Sequence, residues 1–236
     1  IESAVSRPWL AHYPVGRPFE INPNEYSSLV DLLLHHCNDY NDAAAFTNMV
    51  KSISYHELDQ LTADFAAWLH HGAQLKKGDR IALMMPNLLQ YPIAMLGALR
   101  AGLVVVNTNP LYTAHELQHQ LCDSGAVAIV VLENFAHVLE CVINSTQLHT
   151  VIITGAGDQL GLVKKSVVNF VVRHIRHQVP RYQLNQAIRF NLVLHEGHYL
   201  PRYEEDLNPN DIAFLQYTGG TTGVAKAAVL THGNIL

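Results

Sequence analysis

The sequence predicts an α/β fold with a mostly parallel sheet and flanking helices, and three observations carry that expectation. From Arg80 onward, strand-like and helix-like hydrophobic periods alternate three times, which favours parallel strands joined by right-handed crossovers. The stretch Ala126-Val-Ala-Ile-Val-Val-Leu132 is almost wholly apolar, as a strand covered on both faces requires. At 236 residues, 49% hydrophobic and 15% charged, the chain can bury a sizeable core.

The elements follow in order. Tyr26 to Asp39 has helical apolar spacing, with Ser27 available as N-cap. Ala44–Phe46 and Ile53–Tyr55 suit a small hairpin. Ser54-Tyr-His-Glu57 is a capping box opening a helix whose Leu58, Leu61, Phe65 and Leu69 share one face, and Gly72 suits its C-terminal cap. Ile81–Met85 is a strand and Leu89–Ala101 a helix broken by Gly102. Val104–Asn107 is a strand, and Thr113-Ala-His-Glu116 is a second capping box for a helix running to Asp123. Val127–Leu132, Asn134–Asn144 and Thr150–Thr154 continue as strand, helix and strand.

Gly155 to Asp206 breaks the rhythm. Between Gln159 and His195 stand six Lys and Arg (Lys164, Lys165, Arg173, Arg176, Arg181, Arg189) without one Asp or Glu. The other nine Lys and Arg therefore face all 20 Asp and Glu, a net of -11, although the whole chain carries -5. On a helical projection Val167, Val168, Val171, Val172, Ile175 and Val179 share a side opposite Lys165, Arg173, Arg176 and His177, and Pro180 ends the run. Two readings stand side by side: a peripheral helix packed on its own domain with a solvated basic face, and an amphipathic segment, 162–181, lying on an anionic membrane surface.

No run approaches the ~18 apolar residues that cross a bilayer, and the N-terminus lacks a signal core. Cys37, Cys122 and Cys141 form no CxxC pair, so three buried, reduced thiols in a cytoplasmic protein are expected. No nucleic acid partner is expected. The chain does not begin with Met and stops at Leu236 just as a helix starts near Thr231, so a fragment of a longer protein is expected.

The most informative residues are Tyr217-Thr-Gly-Gly-Thr-Thr-Gly-Val-Ala-Lys226, set between an apolar strand (Asp211–Tyr217) and a second one (Ala227–Thr231). Gly219, Gly220 and Gly223 permit positive φ and let successive N–H groups face one concavity. Thr218, Thr221 and Thr222 add hydroxyls and Lys226 a compact cation, a set suited to a polyphosphate. The usual nucleotide P-loop is excluded, since it needs Gly immediately before Lys and a following Ser or Thr. Tyr217 suits either a loop-orienting or a core role.

This loop resembles the signature of adenylate-forming enzymes, the superfamily of acyl-CoA synthetases, luciferases and peptide-synthetase adenylation domains. Lys77-Gly-Asp-Arg-Ile-Ala-Leu-Met-Met-Pro-Asn87, Asn107-Thr-Asn-Pro-Leu-Tyr112 and Leu230-Thr-His-Gly-Asn234 are similar to the family in kind and order. Met84–Pro92 and Val167–Val172 most resemble bacterial long-chain fatty acid–CoA ligases, and the likeness runs from about Ile21 onward. Ala225 departs from the general pattern's Pro, and Ala227 from the Gly that normally follows Lys. If position 227 needs positive φ, its Cβ costs about 1 kcal/mol; if it lies in the strand, Ala is harmless.

The resemblance implies that residues 1–236 are an incomplete part of the large N-terminal domain of such an enzyme. Its divisions would be an α/β sheet region (1–155), a basic helical insertion (156–208) and a strand–phosphate loop–strand unit (209–236). It implies a fatty acid, ATP and CoA as substrates with Mg²⁺, and binding of phosphates by Thr218, Gly219, Gly220, Thr221, Thr222, Gly223 and Lys226. Catalytic and metal-binding residues would lie downstream of Leu236, leaving the fragment inactive alone. The alternatives are a ligase for another acyl or aryl acid, and a non-catalytic truncated module that binds a membrane or a partner. A competing motif, His115-Glu-Leu-Gln-His119, matches a zinc-hydrolase pattern, but a capping box already explains Glu116 and no third ligand stands out.

Overall fold

The computed structural model describes residues 7–22, 24–218 and 225–236. Helix α1 (Leu29–Tyr40) is capped by Ser28 rather than Ser27: the Ser28 hydroxyl accepts the Asp31 N–H at 3.1 Å. The Asp31 carboxylate reaches back to the Ser27 N–H at 2.8 Å, so Ser27 is the residue before the cap. Strands β1 (Ala44–Asn48) and β2 (Lys51–Ser54) form the expected antiparallel hairpin. Helix α2 (Tyr55–Ala67) starts with both halves of the Ser54–Glu57 capping box and continues into a wide turn, Trp68–Gly72. Gly72 is not a left-handed cap. A Cβ there would meet the Trp68 ring at 3.0 Å, so the residue is small in order to admit that ring.

Strand β3 (Arg80–Met84), helix α3 (Gln90–Arg100), β4 (Val104–Asn107), α4 (Ala114–Ser124) and β5 (Ala128–Leu132) follow the predicted rhythm. Thr113 and Glu116 close the second capping box, and α4 ends on Gly125 at φ 62°, a left-handed cap that favours glycine. The helix expected over Asn134–Asn144 is instead a short α5 (Ala136–Glu140) between two tighter turns, Glu133–Phe135 and Ile143–Ser145. Its buried residues Ala136, Leu139 and Val142 recur every third position, a spacing that suits three residues per turn better than 3.6.

Strand β6 (Thr150–Thr154) is followed by α6 (Leu162–Phe170), which widens through Val171–Ile175 and stops before Pro180, with the chain turning at His177, φ 51°. The apolar side expected to pack together does so only in part. Val168 packs on the core, whereas Val167 and Ile175 are 57% and 63% exposed. Two unforeseen elements then join the body: β7 (Ile188–Arg189) pairs with β6, and α7 (Phe190–His198) packs on α2. Strands β8 (Ile212–Thr218) and β9 (Lys226–Thr231) and the short α8 (His232–Ile235) complete the order.

Among the described residues, seven strands form one sheet in the order β7-β6-β5-β3-β4-β8-β9, parallel except for β9 against β8. Strand alternation divides the core. Ile81, Leu83, Val105 and Val130 point to the side carrying α1, α2, α3 and α7; Ala82, Met84, Val106 and Val131 point to the side carrying α4 and α5. β4 lies on one side of β3 and β5 on the other, so the winding reverses there. In open sheets of this kind, ligands sit outside the carboxyl ends of the strands where the winding reverses.

The remaining corrections are local. Cys37 is buried, and burial pushes its thiol up to about 11, but Cys122 and Cys141 are exposed rather than buried. They lie on the outer side of α4 and just beyond α5, on surfaces that face no second layer.

Candidate functional site

The two ends of the Gly/Thr segment are brought together by strand pairing. Thr218 ends β8, Lys226 opens β9, and the two are cross-strand partners. The Thr218 hydroxyl donates to the Lys226 carbonyl at 3.3 Å, and both side chains are exposed. Gly219, Gly220, Thr221, Thr222 and Gly223 lie outside the described residues. Ala227 sits inside β9 opposite Tyr217 and is absent from the positive-φ residues, so the departure from glycine is the harmless, extended case.

Tyr217 is a core aromatic with an anchoring hydroxyl. Its ring is buried in the cluster under α4, and its OH donates to the Asp123 carboxylate at 2.5 Å. Burial, then the adjacent Asp123 charge, drives its pKa well above the ordinary phenol value, so it stays a donor. The last residue before the segment is thereby tied to α4.

Beside Thr218, at the carboxyl ends of β3, β4 and β8, lies a cavity of about 320 Å³ lined by Met85, Asn87, Tyr91, Asn107, Thr108 and Gln216, among others. Asn107 organises it. The Tyr91 hydroxyl donates to Asn107 Oδ1 at 2.7 Å, and Asn107 Nδ2 donates to Gln216 Oε1 at 2.9 Å. Gln120, itself buried, donates to the Asn107 carbonyl at 2.9 Å. Burial raises the Tyr91 pKa against the opposing pull of Asn107, which keeps its proton in place. Helix α3 and strands β4 and β8 are thus pinned to one another by polar side chains next to the Gly/Thr segment. Sequence reading missed all three roles. The available signal was Asn107 itself, the polar residue closing the strand Val104-Val-Val-Asn107.

The other motif residues serve the frame. Lys77 pairs with Asp211 at 2.9 Å and donates to the Asp206 carbonyl at 2.6 Å, and Arg80 donates to the Ser124 carbonyl at 3.0 Å. Burial pushes the Asp211 carboxyl up, but Lys77 and the Asn208 N–H hold it below the usual carboxylate range. Glu116 is engaged by Thr113 through its N–H and hydroxyl, both at 2.8 Å, so its carboxylate is a cap rather than a base over a metal. Among the described residues, no group of three His, Cys, Asp or Glu side chains converges to hold a metal ion.

A family model described as AMP-binding enzyme matches residues 33–236. The chain is 55% identical over 228 residues to a long-chain-fatty-acid–CoA ligase of Escherichia coli O6:H1, which covers 97% of this chain and 41% of that relative. A protein of the same description from Bacillus subtilis is 34% identical over 98% of the chain and 41% of its own length. The chain thus spans about two fifths of the curated relatives it matches. Among solved structures, an anthranilate CoA ligase in complex with anthranoyl-AMP superposes with a TM-score of 0.73 at 16% identity, covering 90% of this chain and 37% of that one. A long-chain-fatty-acid-CoA ligase from Archaeoglobus fulgidus gives 0.68 at 23% identity, over 93% and 39%. Both likenesses concern the fold.

Proposed function

The chain belongs to the AMP-binding enzyme family, and we propose that the protein it represents is an ATP-dependent long-chain fatty acid–CoA ligase. The observation that carries this reading is the 55% identity to a bacterial ligase of that description over nearly the whole chain. In the proposed reaction a carboxylate oxygen attacks the α-phosphorus of ATP, forming the acyl-adenylate as the bond to pyrophosphate breaks. The CoA sulfur then attacks the acyl carbon, and AMP leaves.

The first step brings a carboxylate towards a polyanion, so it needs positive charge and N–H donors on the departing pyrophosphate. We assign that task to Thr218, Gly219, Gly220, Thr221, Thr222, Gly223 and Lys226. The closure of their two ends by β8 and β9, and the anchoring of Tyr217 on Asp123, support the assignment. Magnesium would share the phosphate charge when bound. Among the described residues no group of three His, Cys, Asp or Glu converges to hold it. The decisive assay is acid-dependent ATP–pyrophosphate exchange across a panel of acids. Exchange with palmitate or oleate exceeding that with benzoate and short acids supports the reading, whereas preference for an aryl or short acid changes the substrate. No exchange with any acid, by a protein containing this sequence at the relatives' full length, removes the enzyme reading.

Cytoplasmic residence with peripheral attachment through 162–181 belongs to the same proposal. No helix among the described residues is long and apolar enough to cross a membrane. Val163, Val167, Phe170 and Ile175 are 57–79% exposed along the segment carrying Lys164 and Arg176, which supports an interfacial role. Arg173 is committed to Glu133 and is unsuited to the test. Flotation on anionic liposomes that is unchanged by Lys164→Glu with Arg176→Glu removes this part.

A further inference from the structure

A second basic feature lies apart from the phosphate segment. Glu133 follows the last residue of β5, and its side chain is 1% exposed. One of its oxygens accepts from two guanidiniums, Arg173 at 2.5 Å and Arg189 at 3.3 Å. These arginines come from different segments, the turn after α6 and the edge strand β7. A single carboxylate cannot neutralise both. It engages one nitrogen of each, and the two arginine side chains remain 41% and 53% exposed.

They face a cleft of about 880 Å³ also lined by His174, His177, Arg181, Tyr182 and Gln183, with Glu140 as the acidic residue in its wall. The three arginines outnumber the two glutamates, so the formal charge around the cleft is positive. Val179 and Pro180 add an apolar part, but a cationic ligand is repelled by the arginines. A phosphate is attracted: guanidinium forks match its oxygens two at a time, and charge-assisted hydrogen bonds are the strong class. The arrangement is also pre-set, because the buried carboxylate holds two of the forks before any ligand arrives.

The cleft and the Thr218–Lys226 segment share the carboxyl rim of the sheet. Five strand spacings separate β7 from β8 and three separate β5 from β8, roughly 24 Å and 14 Å at about 4.8 Å each, so the arginines that line the cleft stand apart from Thr218 and Lys226. We propose that the cleft walled by Arg173, Arg181 and Arg189 binds a phosphate-bearing anion, the phosphate belonging either to a soluble compound or to a lipid headgroup. This assignment does not depend on the ligase reading.

The test titrates inorganic phosphate into the full chain by calorimetry at constant ionic strength, in a Lys226→Gln background so that the other segment contributes least. A parallel arm measures co-sedimentation with phosphatidylcholine vesicles with and without phosphatidic acid. One saturable site that Arg181→Gln weakens about tenfold is expected, the loss of one charge-assisted contact. Binding to phosphate alone identifies a soluble ligand. Binding to vesicles containing phosphatidic acid but not to vesicles given the same charge by a sulfated lipid, lost in Arg181→Gln, identifies a headgroup, whereas equal binding to both anionic vesicles reports only surface attraction of 162–181 and overturns the headgroup arm. Equal binding by wild type and a folded Arg181→Gln, or binding in neither arm, overturns the proposal. If Arg181→Gln loses the wild-type circular dichroism, phosphate protection of Arg181 from phenylglyoxal replaces it, and absence of protection overturns the proposal in the same way.

Discussion

His232 accepts the backbone N–H of Leu29 on its Nδ1 at 3.2 Å, joining α8 to the first turn of α1 across 203 residues of sequence. The imidazole is 1% exposed, and burial lowers its pKa, with Asp211 pulling it up and Lys77 down. Only the neutral ring can accept that bond. A folded value below the unfolded one means that the unfolded chain binds the extra proton first. The contribution is therefore full above about pH 6.5 and is lost as pH falls from there through the folded value. His232→Gln should lower the urea midpoint by more at pH 7.5 than at pH 5.5. An equal penalty at both would show that the ring is not the titrating acceptor.

Gly197 and Asp64 set how closely α7 can lie on α2. A Cβ at 197 would stand 1.9 Å from the Asp64 carbonyl oxygen, which belongs to helix backbone and cannot swing aside. The contact also holds the Phe65–Phe190 ring pair, 5.4 Å between centroids, and the Trp68 indole N–H donating to Glu196 at 2.8 Å. Gly197→Ala should force the helices apart and cost about 3 kcal/mol or more. A thermal midpoint within a degree of wild type would refute that close approach.

The hairpin turn between β1 and β2 is built from the wrong residues for its shape. Asn48 pairs with Lys51, leaving Met49 at φ 46° and Val50 at φ 66°, and a two-residue turn with both φ positive normally takes Asn-Gly. A β-branched residue in the left-handed region is strained by about 1–2 kcal/mol. Both side chains are exposed, so replacing them loses little packing. Met49→Asn with Val50→Gly should raise stability by about 1–2 kcal/mol, read as a higher denaturation midpoint with an unchanged slope.

What the sequence disclosed and what it hid divide along contact range. The capping boxes at Ser54–Glu57 and Thr113–Glu116 involve residues three apart, so the chemistry that makes them is visible in a four-letter window. Strands β3 to β6 announce themselves because a doubly covered strand must be apolar throughout. Strand β7 has two residues, too few to show any period, and it exists because β6 offers a free edge. Helix α7 has nine residues, straddles the end of the basic stretch, and is held in place by its packing on α2. The Tyr91–Asn107–Gln216 network spans separations of 16 and 109 residues, and nothing local marks its members as partners. The Gly/Thr segment stands out by composition, whereas the anchoring of Tyr217 on Asp123, 94 residues away, needs three dimensions.

Ala227 gives a sharp check on the segment's closing strand. Its partner across the pair is Tyr217, and its backbone is extended. Glycine there would gain no conformational relief in the folded strand and would give the unfolded chain more freedom to lose on folding, so Ala227→Gly should cost about 0.5–1 kcal/mol. Stabilisation, or a gain in ATP–pyrophosphate exchange, would mean that the position needs the freedom of glycine after all.

Asn107 and Gln216 pin β4 to β8 immediately before Thr218, the Asn107 amide N–H donating to the Gln216 amide oxygen in a partly buried site. Asn107→Ala removes the acceptor of Tyr91 and the donor to Gln216 together, leaving two partly buried polar groups unpaired. The stability penalty should be about 1–3 kcal/mol. The network's location leads to a second expectation: if it sets the direction in which β8 delivers Thr218 to the phosphates, the KM for ATP should rise more than kcat falls in the exchange assay. Asn107→Asp can still accept from Tyr91 but presents no N–H to Gln216, so it should keep part of the stability while repelling a nearby polyphosphate. A loss of stability in Asn107→Ala with the KM for ATP unchanged would confine the network to holding the sheet together. A KM increase in both variants, larger in Asn107→Asp, would tie it to the phosphate segment.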